Sequence, residues 1–186
     1  MRGDDTSAAT IRQLNRWLAA LGKLAINLER DVPGMLVNRV QHAMMREAFD
    51  LMDRGIVTPE DIDVAVRFGF GFRYVACGPI RQRDLNGLTI HAQSAAEIYP
   101  TLHAGSKPAR CLTQRIAAGE VGVSAGRGFY TWDRKTLPQE ARRIDRLMSG
   151  ALKLMDDDRK ALTGKGGAKK RAEKPAVARP LTAARR

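Results

Sequence analysis

The chain of 186 residues has few of the side chains that bind metals, form disulfides or act as nucleophiles. Its two cysteines, Cys77 and Cys111, do not make a disulfide framework, which favours a reducing compartment. Its three histidines, His42, His91 and His103, have neither metal-ligand spacing nor an evident carboxylate partner in the sequence. Neither cysteine lies in a recognisable nucleophile motif, and no Gly-x-Ser-x-Gly occurs. We therefore expect no metal site and no self-contained active site.

Long apolar runs are also absent. No stretch approaches the roughly 18 apolar residues of a membrane span, and no charged start with an apolar run precedes a cleavage site. Apolar residues make up 44% of the chain, as in a soluble globular protein, and the length suits one domain with its own core better than two. These features predict a cytoplasmic protein with no membrane partner.

Acidic residues almost disappear at the C-terminal end of the chain. The net charge is +12, and residues 159–186 hold ten Lys and Arg against one acid, Glu173. This segment is rich in Gly, Ala, Pro and Lys, so burial of apolar surface cannot offset the entropy of ordering it. We expect a disordered basic tail over residues 157–186. Weak contact with nucleic acid is an alternative role, but without aromatic residues for stacking on bases a solvated tail is preferred.

Helical periodicity dominates the remainder of the chain. Between residues 31 and 55, apolar side chains recur every three or four positions, which predicts an amphipathic helix of about five turns with one face in a core. A first helix is predicted over residues 11–21. The alternation over residues 24–29 predicts a short strand. A lone strand has no ladder to join, which suggests the end of a larger sheet domain.

More helices are predicted after the long one. Thr58 is placed to cap the next helix, with Pro59 at its first position and Asp61 completing a capping box, and this helix should end near Gly69. The remaining apolar periodicities predict helices over residues 79–99, 109–119 and 144–155, the second with Leu112 and Ile116 facing inward.

Two glycine-containing stretches do not meet the requirements of nucleotide-binding loops. Gly69 and Gly71 lack the third glycine of a dinucleotide fingerprint, since Tyr74 stands there, and no strand precedes them. We expect instead a backbone turn that packs Phe70 and its neighbour two positions on, Phe72. The loop over residues 121–132 lacks the Lys-Ser/Thr ending of a P-loop, so its ordinary role is to anchor three aromatic side chains against the core.

Asn38 and His42 form a polar pair one turn apart near the start of the long helix. The spacing leaves two explanations open, ordinary hydrogen bonding and the wall of a binding cleft. On spacing alone, ordinary hydrogen bonding is favoured.

Five motifs in order, over roughly residues 20–133, resemble the 3-hydroxyacyl-CoA dehydrogenases. The first, D-V-P-G-M-L-V-N-R, is similar to the P-G-F-x-x-N-R entry of that family, with Met35 in place of the usual Phe. The others are R-E-A from Arg46, G-I-V-T-P-E-D-I-D from Gly55, G-P-I-R-Q-R-D-L-N-G-L from Gly78 and G-R-G-F-Y-T-W from Gly126. The stretch F-G-F-G-F-R-Y-V-A-C-G-P resembles the carnitine and gulonate dehydrogenase relatives at least as well as the fatty-acyl enzymes.

The resemblance implies an all-α fold. Residues 33–156 would form a helical bundle of the 6-phosphogluconate dehydrogenase C-terminal-like type, a substrate and dimerisation domain. Residues 1–32 would be a remnant helix and strand from the end of a Rossmann domain, and residues 157–186 the disordered basic tail. Family members oxidise a 3-hydroxy group with NAD, using a His-Glu pair and a cofactor fingerprint of the Rossmann domain. This chain lacks both, so we expect it to bind no cofactor and to be inactive alone.

The resemblance also assigns a role to Asn38, which matches the substrate-facing Asn of the family motif. This reverses the preference for ordinary hydrogen bonding. Its amide would hydrogen-bond the substrate oxygen or hold the catalytic histidine. The implied substrate is a 3-hydroxyacyl-CoA or a small 3-hydroxy acid, and the implied partner is a second copy of the chain, because the helical domain forms the family's dimer interface.

The residues and the resemblance leave three hypotheses for the function, in order of preference. In the first, the chain is the C-terminal domain of an NAD-dependent oxidoreductase, truncated or split, that acts with a separate Rossmann-domain chain. In the second, it is a non-catalytic helical dimerisation module. In the third, the basic tail makes it a nucleic-acid contact module, which is the least favoured.

Overall fold

The computed structural model describes residues 3–163. Within this range the chain is mostly helical and holds no β-sheet, which confirms the predicted all-α fold. The α-helices are α1 (Ala8–Ala20), α2 (Met35–Asp53), α3 (Pro59–Val64), α4 (Pro79–Asn86), α5 (Leu88–Ile98), α6 (Arg110–Ala117), α7 (Leu137–Leu154) and α8 (Asp156–Thr163). A π-helix (Ala65–Phe70) and three 3-10 segments (Gly71–Val75, Tyr99–Thr101, Val123–Ala125) lie between them. None of the described helices is both long and apolar enough to cross a membrane.

The described residues divide into two compact units. The larger unit comprises residues 32–153 and contains α2 to α6 and nearly all of α7. The smaller unit comprises residues 3–31 and 154–163 and contains α1 and α8. In the smaller unit, the Ser7 hydroxyl caps α1 by accepting a hydrogen bond from the Thr10 N–H. Arg159 of α8 donates from Nη1 to the Gly22 carbonyl just after α1, at 3.4 Å.

In the larger unit, α2 starts from a tight turn at Pro33 and Gly34. The Met35 N–H donates to the Val32 carbonyl at 2.9 Å, and Gly34 has φ 80° and ψ 0°. These are the features of a type II turn, with proline second and glycine third. Gly34 takes up this left-handed conformation freely, whereas Met35, at φ 53°, does so at a cost of about 1 kcal/mol. The Pro-Gly motif therefore fixes the residue at which α2 begins.

The predicted capping box at the start of α3 is present. The Thr58 hydroxyl accepts a hydrogen bond from the Asp61 N–H, and the Asp61 carboxylate accepts one from the Thr58 N–H, each at 3.2 Å. The predicted end near Gly69 is wrong, because the helix widens into the π-helix and then tightens into a 3-10 segment at Gly71. The segment that was expected to form a backbone turn is therefore helical, and the Phe72 side chain is 70% exposed rather than packed in the turn.

The helix predicted over residues 79–99 is split into α4 and α5 at Gly87. Gly87 has φ 93° and ψ 121°, a conformation open to glycine and strained for other residues.

The core of the larger unit lies at the middle of α2 and is small. Ala48 is the one buried residue among those described, with 8% of its surface exposed. Beside it, the Phe49 ring stacks on the Phe129 ring with centroids 5.7 Å apart. The Arg115 guanidinium lies 4.7 Å from the same Phe129 ring. The expected anchoring of the aromatic loop is therefore observed at Phe129.

Large apolar side chains remain exposed over much of the described chain. On the first half of α2, Leu36, Val37 and Val40 are 47%, 62% and 61% exposed, so the apolar stripe is covered only in the second half of the helix. Ile116 of α6 was expected to face inward and is also exposed. On α4 and α5, five large apolar side chains are more than half exposed, namely Ile80, Leu85, Leu88, Ile90 and Ile98. The described residues therefore leave extensive apolar surface uncovered.

Asp53 joins the end of α2 to the start of α6. Its Oδ2 accepts a hydrogen bond from the Arg110 N–H and its Oδ1 accepts one from the Cys111 N–H, both at 2.7 Å. Ala109, the N-cap of α6, offers no side-chain acceptor, so Asp53 satisfies two amides of the first turn. Desolvation raises the pKa of Asp53, but these two backbone hydrogen bonds outweigh it and hold the pKa below its ordinary value.

Two predictions near the ends of the chain differ from the structure. Residues 24–29 do not form a strand, because the described residues provide no neighbouring strand to complete a ladder. The segment predicted as a disordered tail from residue 157 begins with α8, where Lys160 Nζ pairs with Asp156 Oδ2 at 2.6 Å. Acidic residues at the helix start favour this helix. The rest of the predicted tail lies outside the described residues.

Candidate functional site

An open trough lies along the first half of α2, within the larger unit. Its volume is about 390 Å³, and it is lined by Pro33, Gly34, Asn38, Arg39, His42, Ala43 and Arg46. The structure thus places the polar pair singled out in the sequence, Asn38 and His42, in the wall of one open cavity.

The spacing of α2 aligns the polar side chains of the trough. Asn38, His42 and Arg46 are four residues apart, so they form one row along the helix, with steps of about 6 Å. Arg39 stands at the start of this row and donates from Nη1 to the Pro33 carbonyl at 3.3 Å. In the sequence, Arg46 stood out only as the first residue of the R-E-A motif. Its spacing of eight residues from Asn38 nevertheless places it in the same row of the helix.

The trough carries positive charge. Its lining residues include two arginines and a histidine and no carboxylate. The first turn of α2 adds to this, because Gly34 provides no side-chain cap and the amides at a helix start bear partial positive charge. The acids of α2 are engaged elsewhere, since Glu47 and Asp50 both contact His103. An anion is therefore the ligand that the trough fits best.

The sequence predicted no carboxylate partner for His103, and this prediction is wrong. Its Nδ1 lies 3.1 Å from Asp50 Oδ1, and its backbone N–H donates to Glu47 Oε2 at 2.7 Å. More than 50 residues separate these partners along the chain, so no local pattern could reveal the contact. The contact fixes the loop after α5 to α2, away from the residues that line the trough.

The glycine-rich loop over residues 121–132 is tied to α3. The Tyr130 hydroxyl donates to Asp63 Oδ2 at 2.8 Å. Desolvation and this carboxylate raise the pKa of Tyr130 to about 12. Glu120, at the start of the loop, pairs with Arg115 of α6 at 3.0 Å. The loop is thus used for anchoring, as the sequence suggested.

The chemistry available in the trough is binding and orientation. It offers an amide, an imidazole and guanidinium groups, and its lining has no carboxylate or thiol. The described residues contain no group of three or more His, Cys, Asp and Glu that could hold a metal ion. Gly69 and Gly71 lie in the π-helix and the 3-10 segment, so they do not form the strand, turn and helix that bind a dinucleotide.

The order of these elements has a counterpart among known proteins. Residues 34–132, just over half of the chain, match the model of the 3-hydroxyacyl-CoA dehydrogenase, C-terminal domain. The chain belongs to this family. The family's C-terminal domain accordingly begins in the turn before α2, includes the whole trough except Pro33, and ends at Trp132.

The relatives of this 3-hydroxyacyl-CoA dehydrogenase domain are longer than the chain, and the aligned residues cover about half of each. The 5-formyl-3-hydroxy-2-methylpyridine 4-carboxylate 5-dehydrogenase of Mesorhizobium japonicum is 29% identical over 148 residues, which are 79% of this chain and 48% of the relative. A probable 3-hydroxybutyryl-CoA dehydrogenase of Bacillus subtilis is 31% identical over 141 residues, which are 73% of this chain and 46% of the relative. The chain spans about half the length of the curated relatives it matches.

A solved structure shows the same fold. It is the crystal structure of a 5-formyl-3-hydroxy-2-methylpyridine 4-carboxylic acid 5-dehydrogenase, described as an NAD+ dependent dismutase. This structure matches with a TM-score of 0.77 and 28% identity, over 82% of this chain and 50% of that chain.

Proposed function

We propose that this chain is the substrate-side half of an NAD-dependent oxidoreductase that oxidises a 3-hydroxy group. A Rossmann domain, in a second polypeptide or in another part of a longer protein, completes the catalyst. The observation that carries the proposal is the open, positively charged trough on α2, with Asn38 in its wall, in a chain of this family. A trough that orients a substrate through hydrogen-bond donors suits a domain whose partner domain supplies the catalytic His-Glu pair and the cofactor.

Asn38 is the residue to which we assign the substrate contact. Its side chain is exposed in the trough, and its amide group can donate to a substrate oxygen or hold a histidine of the Rossmann domain in place. We assign NAD binding to the Rossmann domain, as the family resemblance implies. We therefore expect no oxidation by this chain alone.

The exposed apolar faces support two protein partners. Leu36, Val37 and Val40 stand on the same half of α2 as the trough, so we assign them to contact with the Rossmann domain. The five exposed apolar side chains of α4 and α5 are assigned to a homodimer interface. Full burial of one large apolar side chain contributes about 1.5 to 3 kcal/mol, so covering either face favours association against its entropic cost.

Reconstitution tests the proposal. The full chain is mixed with the Rossmann domain of the Mesorhizobium relative, and NADH formation is followed by absorbance with 3-hydroxybutyrate and with 3-hydroxybutyryl-CoA. We expect the mixture to be active and each part alone to be inactive. Asn38→Ala should lower kcat/KM by about 100- to 1,000-fold, as expected for loss of one preorganised donor. Asn86→Ala, an exposed asparagine at the end of α4, is the matched control and should leave the rate unchanged.

Two results would contradict the proposal. One is NADH formation by the full chain with no Rossmann domain added. The other is the absence of rescue by the Mesorhizobium domain and by any Rossmann protein found with this chain in its own cell.

The second candidate function is a non-catalytic helical dimer, and the extent of exposed apolar surface favours it. It predicts a stable dimer in sedimentation, without binding of NAD or acyl-CoA and without rescue. A nucleic-acid contact role would depend on the basic tail, most of which lies outside the described residues. Deletion of residues 164–186 would abolish nucleic-acid binding in that case alone.

A further inference from the structure

We propose that Arg46, together with His42, forms a carboxylate subsite in the trough, so that the substrate is a compact hydroxy acid with a free carboxylate. This inference rests on the proposed function and specifies its substrate class. The names of the relatives include both a carboxylate and a CoA thioester, so the choice depends on the residues of the trough.

The pairing of the α2 arginines singles out Arg46. Of the three arginines on or beside α2, Arg39 donates to the Pro33 carbonyl and Arg54 pairs with Asp50 at 3.4 Å. Within residues 3–163, the guanidinium of Arg46 has no hydrogen bond or ion pair, although it lines the trough. Arg46 is exposed, so its guanidinium is free to pair with an anion from outside the described part of the chain.

The direction of the Arg46 side chain suits a short ligand. Side chains on an α-helix lean toward its N-terminus, so the guanidinium of Arg46 covers the turn that holds His42. Eight residues, a rise of about 12 Å, separate Asn38 from Arg46 along the helix axis, and the long Arg46 side chain shortens the gap between its guanidinium and the Asn38 amide. Both side chains line the same trough. In a 3-hydroxy acid a single methylene lies between the hydroxyl-bearing carbon and the carboxylate. With a hydrogen bond of about 2.9 Å at each end, a ligand of this size bridges the two side chains when Arg46 extends toward the N-terminus of α2.

Charge distinguishes a carboxylate from a thioester at this position. A carboxylate accepts two parallel, charge-assisted hydrogen bonds from a guanidinium, which is the strongest pairing available to arginine. A thioester carbonyl is neutral, and the phosphates of CoA lie beyond the long pantetheine arm. Once a second domain covers the trough, a thioester would leave Arg46 desolvated without a counter-charge, which is unfavourable.

Nitrogen-15 NMR of the full chain tests the subsite without requiring catalysis. Sodium 3-hydroxybutyrate and its neutral amide, 3-hydroxybutyramide, are titrated to tens of millimolar while the Asn38 side-chain amide and the Arg46 Nε–H are observed. We expect the acid to shift both resonances and to bind at least tenfold more tightly than the amide. Arg46→Met should remove this preference and Arg46→Lys should weaken it. Arg54→Met is the matched control on the same helix and should retain the preference.

The outcomes separate the two proposals. If acid and amide shift Asn38 equally, and Arg46→Met changes nothing, the carboxylate subsite is overturned while the proposed function stands. If neither ligand shifts Asn38, the carboxylate subsite is overturned, and reconstitution with the Rossmann domain decides separately whether the proposed function stands. If acetate binds as tightly as 3-hydroxybutyrate, the site holds anions without reading the hydroxyl group, which also overturns the inference.

Discussion

At the scale of single residues, Asp53 contributes to the stability of the fold, and this contribution can be measured. Asp53→Ala removes the acceptor for the Arg110 and Cys111 amides at the start of α6. Loss of a helix cap lowers the free energy of unfolding by about 1 kcal/mol, and urea unfolding at pH 7 should show this loss. Asp84→Ala, an exposed carboxylate on α4, is the control and should unfold as the unsubstituted chain does.

The contribution of Asp53 to stability varies with pH in a way that follows from the direction of its pKa shift. Because the folded pKa of Asp53 lies below the unfolded value of about 3.9, its contribution is present above that value. The contribution is lost as the pH falls through the lower folded pKa. The difference between Asp53→Ala and the unsubstituted chain should therefore be constant from pH 5 to 7 and shrink under more acidic conditions. A difference that grows with acidification would contradict this assignment.

Contacts between residues that are far apart in the sequence were the least predictable property at the residue scale. Thr58 and Asp61 lie three positions apart, so their capping box could be predicted from the sequence alone. Asp50 and His103, or Asp53 and Cys111, are brought together only by the packing of α2 against later segments. A pattern of neighbouring residues holds no information about such pairs.

At the scale of elements, Tyr130 connects the glycine-rich loop to α3. The Tyr130 phenol is neutral in its hydrogen bond to Asp63, so ionisation breaks the contact. The pKa of Tyr130 in the folded state is raised to about 12, whereas in the unfolded state it is about 10. The contribution of Tyr130 to stability is therefore fully present below pH 10 and is lost as the pH rises through about 12. In a carbon-13 tyrosine NMR titration, one resonance should titrate near 12 and be absent from Tyr130→Phe.

Asp63→Asn provides the second arm of this test. The variant keeps an acceptor but removes the negative charge, so the pKa of Tyr130 should fall toward its ordinary value. An unchanged late titration in Asp63→Asn would show that the carboxylate is not the cause of the shift.

The helices were largely predictable from periodicity, and their interruptions were not. The apolar repeat of α2 and the Pro-Gly turn before it are local properties, and both are found where the sequence places them. The strand expected over residues 24–29 fails because a strand depends on a neighbour, which no pattern within the strand can supply. The position of Asn38 and His42 in the trough could be anticipated, whereas the unpaired state of Arg46 depends on where every acid of α2 points.

At the scale of the whole molecule, the exposed apolar surface predicts self-association. Ile80→Ser with Leu85→Ser places two hydroxyl groups among the exposed apolar side chains of α4 that we assign to the homodimer. We expect the dimer dissociation constant, from sedimentation equilibrium, to rise at least tenfold, since each lost contact removes more than about 1 kcal/mol.

A matched pair on α2 separates the two faces. Val37→Ser with Val40→Ser alters the face assigned to the Rossmann domain, so the dimer should persist while reconstitution with the Rossmann domain is lost. The opposite result, loss of the dimer with reconstitution intact, would reverse the assignment of the two faces.

The π-helix between α3 and the 3-10 segment determines where the length of this region can vary. Its wider turn accommodates one residue more than an α-helix would, and Asp63 lies two positions before it. Six residues wound as a π-helix and five wound as an α-helix cover nearly the same rotation about the axis, roughly 500°. Deletion of one residue from Ala65–Phe70 would therefore restore regular winding and leave the Asp63 carboxylate directed at the aromatic loop. Genes that encode this domain should therefore tolerate the loss of one codon in these six positions more readily than the loss of one codon within α3.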